Sequence, residues 1–337
     1  MKILLSHGAG GEMMNRLISD SILKNLSLKN LGDVGLSDLD DGASISIGDK
    51  EMVVSTDSYI VSPIFFPGGD IGKLAACGTI NDISMMGATP LALSLAVIIE
   101  EGFDSDDLER IICSIDEVCR DTGVSVITGD TKVMQRGKID KIVINTTGIG
   151  IADSGKVIKD GSLSPGNKII LSGTVGDHGV SLMSFREGFG FETTLKSDVA
   201  PLWDMVKKAL EIGGITAMRD PTRGGLAATL NDWARKSNTG IIVQEDNIPL
   251  KQEVIAASRM LGIDPYTVAN EGKAVIGVKK DKAQELLEVL HNTEQGKNAQ
   301  IIGEVKNRYN GKVILETAVG GRRIMEPPVG DPVPRVC

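Results

Sequence analysis

The sequence predicts two mixed α/β domains of similar size, because strand-like and helix-like segments alternate twice along its 337 residues. A chain of this length also exceeds the roughly 250–300 residues at which a single hydrophobic core stops growing. From Ile151 to Asn167 the sequence turns to glycine, serine, lysine and proline, which is typical of a boundary. We therefore predict domains at residues 1–155 and 156–325, and an extended proline-rich tail at residues 326–337.

The first domain begins with a strand at 51–60, where EMVVSTDSYI has the composition of a β-strand. A helix is expected from Asp70 to Met86, and the apolar run LALSLAVII at 91–99 predicts a buried strand. A second helix should begin at Ser105, its expected N-cap, and stop at Gly123. The remaining expected elements of this domain are strands at 124–129 and 141–152.

The second domain repeats this order. It begins with KIILSGTVGDHGVSLM at 168–183, which predicts a strand, a glycine-rich turn and the start of a helix. The further expected elements are a helix at 224–237, a strand at 240–245, a helix at 251–261, a strand at 273–280 and a helix at 281–292.

The composition excludes several classes of partner. A formal charge of −9 argues against nucleic acid or an anionic membrane. The longest uncharged apolar run, Pro90–Ile99, is shorter than the ~20 residues that cross a bilayer. The N-terminal MKILLSHG lacks the apolar stretch of a secretion signal. We expect a protein of the reducing cytoplasm, without nucleic acid or membrane partners.

Three of the four cysteines fit a buried role. Cys77, Cys113 and Cys119 lie between aliphatic residues in helical patterns, so we expect unreactive buried thiols, and no CxxC pair or zinc-type spacing occurs. Cys337 differs, because it is the last residue and follows prolines that keep the chain extended. A leftover thiol on a frayed tail is the simple interpretation. The alternative is that the tail exists to carry this thiol, and an arm beginning at Pro327 would span ~30 Å.

Candidate metal ligands are spread along the chain as aspartates at or near turns. No phosphate-binding P-loop occurs, and GIGIAD lacks the last glycine of a dinucleotide fingerprint, so any nucleotide must be held differently. Each aspartate alone is most simply a turn or capping residue. Together they would suit Mg²⁺, which commonly bridges carboxylates to substrate phosphates. These residues are Asp40, Asp41, Asp57, Asp82, Asp130 and Asp220.

Two glycine-rich segments complement the aspartates. HGAGGEMM at 7–14 and PTRGGL at 221–226 each lead into a helix, where free backbone N–H groups can face a phosphate, and the second adds Arg223. A flexible linker is the simpler interpretation of the first segment. Lys132 follows Asp130 in GDTK and either assists a metal-binding carboxylate or forms an ordinary surface ion pair.

Glu271, in VANEGKAV, precedes an expected buried strand. Partial burial there would raise its pKa and suit it to act as a base, whereas the alternative is a solvent-exposed turn residue. The histidines His7, His178 and His291 have no partner in a catalytic pattern, so we expect structural roles for them.

Taken together, these motifs resemble one family. HGAGGEMM, GTINDISMMGATP, TGDTKVMQRGKIDK, RDPTRGG, ANEGK and the terminal PRVC look like the motifs of the HypE carbamoyl dehydratases of nickel–iron hydrogenase maturation. The resemblance runs from Ser6 to Cys337 and keeps the motifs in order. GDTKV, DPTRGG and PRVC are specific to the family. The aspartate turns alone indicate only its superfamily, that of aminoimidazole ribonucleotide synthetase, which includes thiamine-phosphate kinase and selenophosphate synthetase.

The resemblance implies a reaction on the tail. Cys337 would receive a carbamoyl group from the carbamoyltransferase HypF, and the tail would then fold into the nucleotide cleft. ATP would phosphorylate the carbamoyl oxygen, and loss of phosphate would leave a thiocyanate. The cyano group would then pass to iron on the HypC–HypD complex. The first domain would bind ATP and pair with a second copy, giving a homodimer.

The resemblance also implies roles for individual residues. Cys337, Glu271 and Lys132 would be catalytic, with ATP and Mg²⁺ as cofactors. The residues implied to bind ATP are Gly8, Gly10, Gly11, Asp57, Gly129, Asp130, Thr131 and Arg223. The residues implied to bind the metal are Asp41, Asp82 and Asp220.

Two other hypotheses stay open at this point. A small-molecule kinase or synthetase of the same superfamily, similar to thiamine-phosphate kinase or selenophosphate synthetase, would turn over ATP without its last four residues. A nucleotide-sensing scaffold would bind a partner through the terminal thiol without net ATP hydrolysis. The fate of Cys337 in the presence of a carbamoyl donor and ATP separates all three.

Overall fold

The structure, a computed structural model, describes the following residues: 2–8, 11–186, 194–328, Gly330, Val333 and Val336. Two predicted site residues, Gly10 and Cys337, lie outside the described residues. The described chain is organised around two large β-sheets, one of five strands and one of seven. Helices pack against both sheets, and the prediction of two mixed α/β domains is confirmed.

The first sheet is mostly antiparallel. The strands of this half are β1 (Ala43–Ile47), β2 (Lys50–Tyr59), the short pair β3 (Phe65–Phe66) and β4 (Gly69–Asp70), β5 (Thr89–Glu100), β6 (Ser125–Met134) and β7 (Ile142–Asp153). The five-stranded sheet has the order β1-β2-β7-β5-β6, in which β5 and β6 run parallel and the other neighbours antiparallel. Strand β6 therefore forms an edge of the sheet.

The second sheet contains seven strands in the order β14-β13-β10-β12-β8-β11-β9. These strands are β8 (Lys168–Leu171), β9 (Ile215–Arg219), β10 (Gly240–Gln244), β11 (Val275–Val278), β12 (Gln300–Lys306), β13 (Val313–Glu316) and β14 (Arg322–Ile324). The α-helices of the described chain are α1 (Gly11–Leu17), α2 (Ile71–Met85), α3 (Ser105–Thr122), α4 (Asp177–Phe185), α5 (Trp203–Ile212), α6 (Gly225–Lys236), α7 (Gln252–Leu261) and α8 (Ala283–His291).

Helix α3 begins with a different cap from the one predicted. The carboxylate of Asp104 accepts a hydrogen bond from the backbone N–H of Asp106 at 2.8 Å, so Asp104 is the N-cap and Ser105 is the first helical residue. Ser105 as the N-cap is therefore wrong by one position. The predicted stop is confirmed, because Gly123 adopts the left-handed conformation that ends many helices.

The cysteines of the first domain do not all share one environment. Cys77 and Cys119 are buried as predicted, but Cys113 is exposed. The reason is helical geometry: Ile111 and Ile115 occupy the buried face of α3, and a residue midway between them points away from the core. The prediction of a buried thiol at Cys113 is therefore wrong.

The tail contributes to the hydrophobic core. Val333 and Val336 are only 2% and 3% exposed, and they join a core that also contains Tyr59 of β2 and Val180 of α4. The described end of the tail thus packs between residues of both halves of the chain. None of the helices in the described part of the chain combines the length and apolarity that crossing a membrane requires.

Candidate active site

Three carboxylates converge where the two domains meet. Asp41 lies just before β1, Asp82 lies on α2, and Asp220 directly follows β9. One oxygen from each side chain lies within 4.8 Å of the others. The family resemblance implied these three residues as metal ligands, and the fold brings them together from three separate segments.

The electrostatics of this cluster favour a bound cation. Burial, reinforced by the neighbouring aspartates, raises the pKa values of Asp41 and Asp82 well above their usual range and that of Asp220 to about 7. Asp41 Oδ2 is buried without a hydrogen-bond partner among the described residues, while Ser55 donates to Asp82 Oδ2 at 2.6 Å. An oxygen-only donor set with an unsatisfied buried oxygen fits Mg²⁺.

Arg219, for which the sequence patterns predict no role, stabilises this cluster. The Arg219 guanidinium lies 3.0 Å from an oxygen of Asp41 and 3.0 Å from one of Asp160, and 3.5 Å from Asp232. It thereby partly offsets the negative charge beside Asp220. Its position directly before Asp220 in MRDPTRGG was the available signal.

The second glycine-rich segment lies beside the carboxylates. Arg223 Nη2 lies 3.9 Å from an oxygen of Asp57. Burial raises the pKa of Asp57 overall, and the charge of Arg223 opposes part of this shift. Gly225 begins α6 with a positive φ, and a Cβ there would lie 2.6 Å from the carbonyl oxygen of Val268. Glycine is therefore required for the segment to approach this closely.

Glu271 lies in the same buried region. It is 2% exposed, and burial together with the charges of Asp220 and Asp198 raises its pKa well above the usual range, in agreement with the buried one of the two interpretations of the sequence. Glu271 Oε1 has no hydrogen-bond partner in the described part of the chain. Its backbone N–H donates to Asp198 at 3.2 Å, and Asp198 also pairs with Lys273 at 3.0 Å. The backbone of Glu271 is therefore held in place, while one oxygen of its buried carboxyl group has no hydrogen-bond partner among the described residues.

The tail passes close to both glycine-rich segments. The carbonyl oxygen of Pro328 lies 2.7 Å from where a Cβ on Gly11 would be, and the Pro328 ring lies 3.5 Å from the corresponding position on Gly224. Gly8 ends the turn before Gly11, and Gly10 lies outside the described residues. The start of the tail therefore runs between the two segments predicted to bind phosphate.

The far end of the tail is bound to a histidine. His178, fully buried on α4, lies 2.7 Å from the carbonyl oxygen of Val336 through Nε2, and Cys337 itself lies outside the described residues. The sequence alone predicts only a structural role for His178. No local signal could have indicated this contact, because the two residues are 158 positions apart.

The GDTK motif is not brought to the carboxylate cluster within one chain. Gly129, Asp130, Thr131 and Lys132 are exposed on β6. Lys132 pairs with Asp130 at 2.8 Å. Across the sheet, Gly129 is aligned with Asp57 through one residue on β5 and one on β7, so three strand spacings, or about 14 Å, separate them.

Both halves of the chain match known family models. The N-terminal domain of AIR synthase related proteins matches residues 39–152, and their C-terminal domain matches residues 164–316. A putative hydrogenase expression/formation protein of Methanocaldococcus jannaschii is 54% identical, with 100% of both chains covered. The carbamoyl dehydratase HypE of Rhizobium leguminosarum bv. viciae is 46% identical over 100% of this chain and 95% of its own.

Solved structures extend these similarities to three dimensions. A crystal structure of the hydrogenase maturation protein HypE in complex with ATP is 42% identical and has a TM-score of 0.82, with 100% of both chains covered. A crystal structure of a HypE–HypF complex is 41% identical with a TM-score of 0.86, covering 94% of this chain and 100% of that chain. The similarity therefore extends over both halves of the chain.

Proposed function

The chain belongs to the HypE family of AIR synthase related proteins, and we propose that it is an ATP-dependent carbamoyl dehydratase. Its substrate would be a carbamoyl group carried on Cys337, and its product a thiocyanate that supplies cyanide for the iron of nickel–iron hydrogenases. One observation carries this proposal. Val336, the residue before the terminal cysteine, is buried and hydrogen-bonded to His178. The other partner of His178 is Ser197, and the next residue, Asp198, accepts the backbone N–H of Glu271.

We assign the triphosphate of ATP to the region between the glycine-rich segments and the carboxylate cluster. Gly8, Gly10, Gly11, Asp57 and Arg223 would bind ATP from this chain. Asp41, Asp82 and Asp220 would hold Mg²⁺, which when bound neutralises phosphate charge. Arg223 adds a positive charge where negative charge develops on the transferred phosphoryl group.

The reaction then proceeds in two steps. The carbamoyl oxygen takes the γ-phosphoryl group of ATP, ADP leaves, and one N–H proton is lost. The C–O bond then breaks, inorganic phosphate leaves with the former amide oxygen, and loss of the second N–H proton gives S–C≡N. Glu271 is suited to accept these protons, because its raised pKa makes its carboxylate a stronger base than an exposed one.

We infer that the GDTK motif acts across a homodimer. All ten residues of β6 are exposed, and the strand is an edge with its outer hydrogen-bonding side unpaired within this sheet. Exposed edges of this kind are commonly covered by another chain. In a homodimer, Gly129, Asp130 and Thr131 would complete the ATP site of the partner, and Lys132 would act beside its Glu271.

The remaining assignments follow from the family. We propose HypF as the carbamoyl donor, in keeping with the HypE–HypF complex, and HypC–HypD as the cyanide acceptor. The reducing cytoplasm suits a free terminal thiol. We place the domain boundaries at 155/156 and 325/326, with residues 326–337 as the arm that carries the cysteine.

The intact mass of the C-terminal peptide tests this function. With an active carbamoyl donor, the peptide should gain a carbamoyl group, and addition of ATP and Mg²⁺ should then remove the mass of one water. Cys337→Ala should bind ATP and acquire no modification. An unmodified peptide under both conditions, with a donor shown to be active on a known acceptor, would contradict the proposal. If deletion of residues 334–337 left ATP turnover on a free metabolite intact, the small-molecule kinase hypothesis would replace it.

A further inference from the structure

The ring of His178 connects the tail to the interior of the protein. Its Nε2 lies 2.7 Å from the carbonyl oxygen of Val336, and its Nδ1 lies 2.7 Å from the hydroxyl oxygen of Ser197. The ring is fully buried, and the edge contact with Phe66, with ring centroids 5.5 Å apart at 88°, limits its rotation. Both nitrogens are therefore used, one on the tail and one on the protein body.

The surrounding hydrogen bonds determine which nitrogen carries the proton. The backbone N–H of Val199 donates to Ser197 Oγ at 3.1 Å, which leaves the hydroxyl proton free to be donated to His178 Nδ1. With Nδ1 accepting, the proton of the neutral ring lies on Nε2 and points at the Val336 carbonyl oxygen, which can only accept. Burial also lowers the pKa of His178 and so favours the neutral ring.

The same loop reaches the proposed base. Asp198, next to Ser197 in the chain, accepts the backbone N–H of Glu271 at 3.2 Å and pairs with Lys273 at 3.0 Å. The position of the tail end is thus linked to the position of Glu271 by two adjacent residues. A shift of the tail relative to this loop would change the distance between the substrate on the tail and its base.

Apolar residues of the tail pack beside His178. The position of a Cβ on Gly179, the residue after His178, would lie 3.7 Å from Val333, which is van der Waals distance. Val333 and Val336 are almost fully buried against this region. Burial of two valines provides a nondirectional attraction, whereas the bond to His178 fixes the register of the tail.

We propose that His178 is a positioning residue that holds the tail in its docked register by donating Nε2–H to the carbonyl oxygen of Val336. This inference rests on the proposed function, because register matters only when the terminal residue carries the substrate. Removing the donor leaves a buried carbonyl unsatisfied, which shifts the tail toward the undocked state. A donor of similar reach, such as the side-chain amide of glutamine, should restore docking.

The experiment measures docking directly, by the rate at which a maleimide labels Cys337. The background variant is Cys113→Ser, because Cys113 is exposed while Cys77 and Cys119 are buried. His178→Phe should accelerate labelling by about tenfold, the factor that corresponds to about 1.4 kcal/mol. His178→Gln should label at nearly the wild-type rate.

A second measurement separates docking from general damage. In single-turnover assays on carbamoylated protein, His178→Phe should slow dehydration by about the same factor while accepting carbamoyl groups at least as fast as wild type, since loading requires an accessible tail. The matched control is His291→Phe, because His291 also contacts a backbone carbonyl oxygen, that of Ala299, at 2.9 Å. It should leave the labelling rate unchanged.

Unchanged labelling in His178→Phe, or equal acceleration by phenylalanine and glutamine, would overturn the inference. If His178→Phe does not fold, Ser197→Ala provides the test, because it removes the hydroxyl that orients the ring, and unchanged labelling there would be equally decisive. The labelling rate does not depend on catalysis. Faster labelling of His178→Phe, combined with no thiocyanate formation by the carbamoylated wild type, would therefore contradict the proposed function and still support the docking contact.

Discussion

Replacing Asp220 with asparagine tests whether the charge of this buried carboxylate destabilises the protein when no metal is bound. Burial, opposed by Arg219 and reinforced by Asp57, raises the pKa of Asp220 from its usual 3.8 to about 7. Because the folded pKa exceeds the unfolded one, the carboxylate costs no stability below pH 4 and an increasing amount up to pH 7. At about 1.4 kcal/mol per pH unit, the free energy of unfolding falls by about 3 kcal/mol between pH 5 and pH 7, and by about 4 kcal/mol in all.

The assay is thermal unfolding from pH 4 to pH 8, in EDTA and in Mg²⁺. Without metal at pH 8, Asp220→Asn should unfold on the order of 10 °C above wild type, and the difference should vanish toward pH 4. Mg²⁺ should stabilise the wild type at pH 8 and have little effect on the variant, because a ligand stabilises only the state that binds it. The control is Asp204→Asn, an exposed partner of Lys208, which should show no such gain. If metal-free Asp220→Asn is no more stable than wild type at pH 8, the reasoning is refuted.

Three further predictions concern the proton acceptor, the homodimer and the loop that carries Glu271. Glu271→Gln should accept the carbamoyl group yet lose about 10²–10⁴-fold in single-turnover dehydration, followed by mass spectrometry, because the base is gone. Lys132→Ala and Cys337→Ala should each be inactive as homodimers. After subunit exchange, about half of the dimers are mixed and one of the two sites in each is complete, so the mixture should recover about a quarter of wild-type activity. Gly272→Ala should destabilise the protein by about 1–3 kcal/mol in denaturant unfolding, because the new methyl would lie 1.9 Å from the carbonyl oxygen of Asp198.

Each of these predictions has a control and a contrary result. Glu211→Gln, on the surface helix α5, controls for loss of a carboxylate, and normal dehydration by Glu271→Gln would exclude Glu271 as the base. Subunit exchange of wild type with Cys337→Ala controls for dilution, and no recovery in the mixture would exclude action of Lys132 across the interface. Gly161→Ala, whose added methyl has no neighbour closer than 3.7 Å, controls for the glycine substitution. Equal stability of Gly272→Ala and wild type would contradict the clash.

The local elements and the carboxylate cluster could be predicted from the sequence because their signals are local. Hydrophobic periodicity predicted α3, and an apolar run predicted α2. Aspartates near turns predicted six candidate ligands, and the family resemblance selected Asp41, Asp82 and Asp220 from them. Asp82 lies on α2 and not at a turn. The N-cap of α3 was misplaced because aspartate and serine are about equally good caps and stand side by side there.

The arrangement of the GDTK motif could not be predicted, because the order of strands in a sheet differs from their order in the chain. Strand β7 inserts between β2 and β5, and this places β6 at the far edge, about 14 Å from Asp57. His178 was missed for a related reason. Its two partners, Ser197 and Val336, are 19 and 158 residues away, and no sequence pattern connects a lone histidine to such distant groups.

The three carboxylates come from both domains, and this affects the behaviour of variants at the contact between the domains. Asn81, the neighbour of Asp82, donates to the carbonyl oxygen of Ala200 and accepts the N–H of Leu202, so it fastens α2 to the second half of the chain. Loosening this joint would separate Asp82 from Asp220 before either domain melted. Substitutions at this domain contact would therefore weaken metal affinity in an otherwise well-folded protein. In kinetic assays, such a loss of domain contact would resemble the loss of a metal ligand.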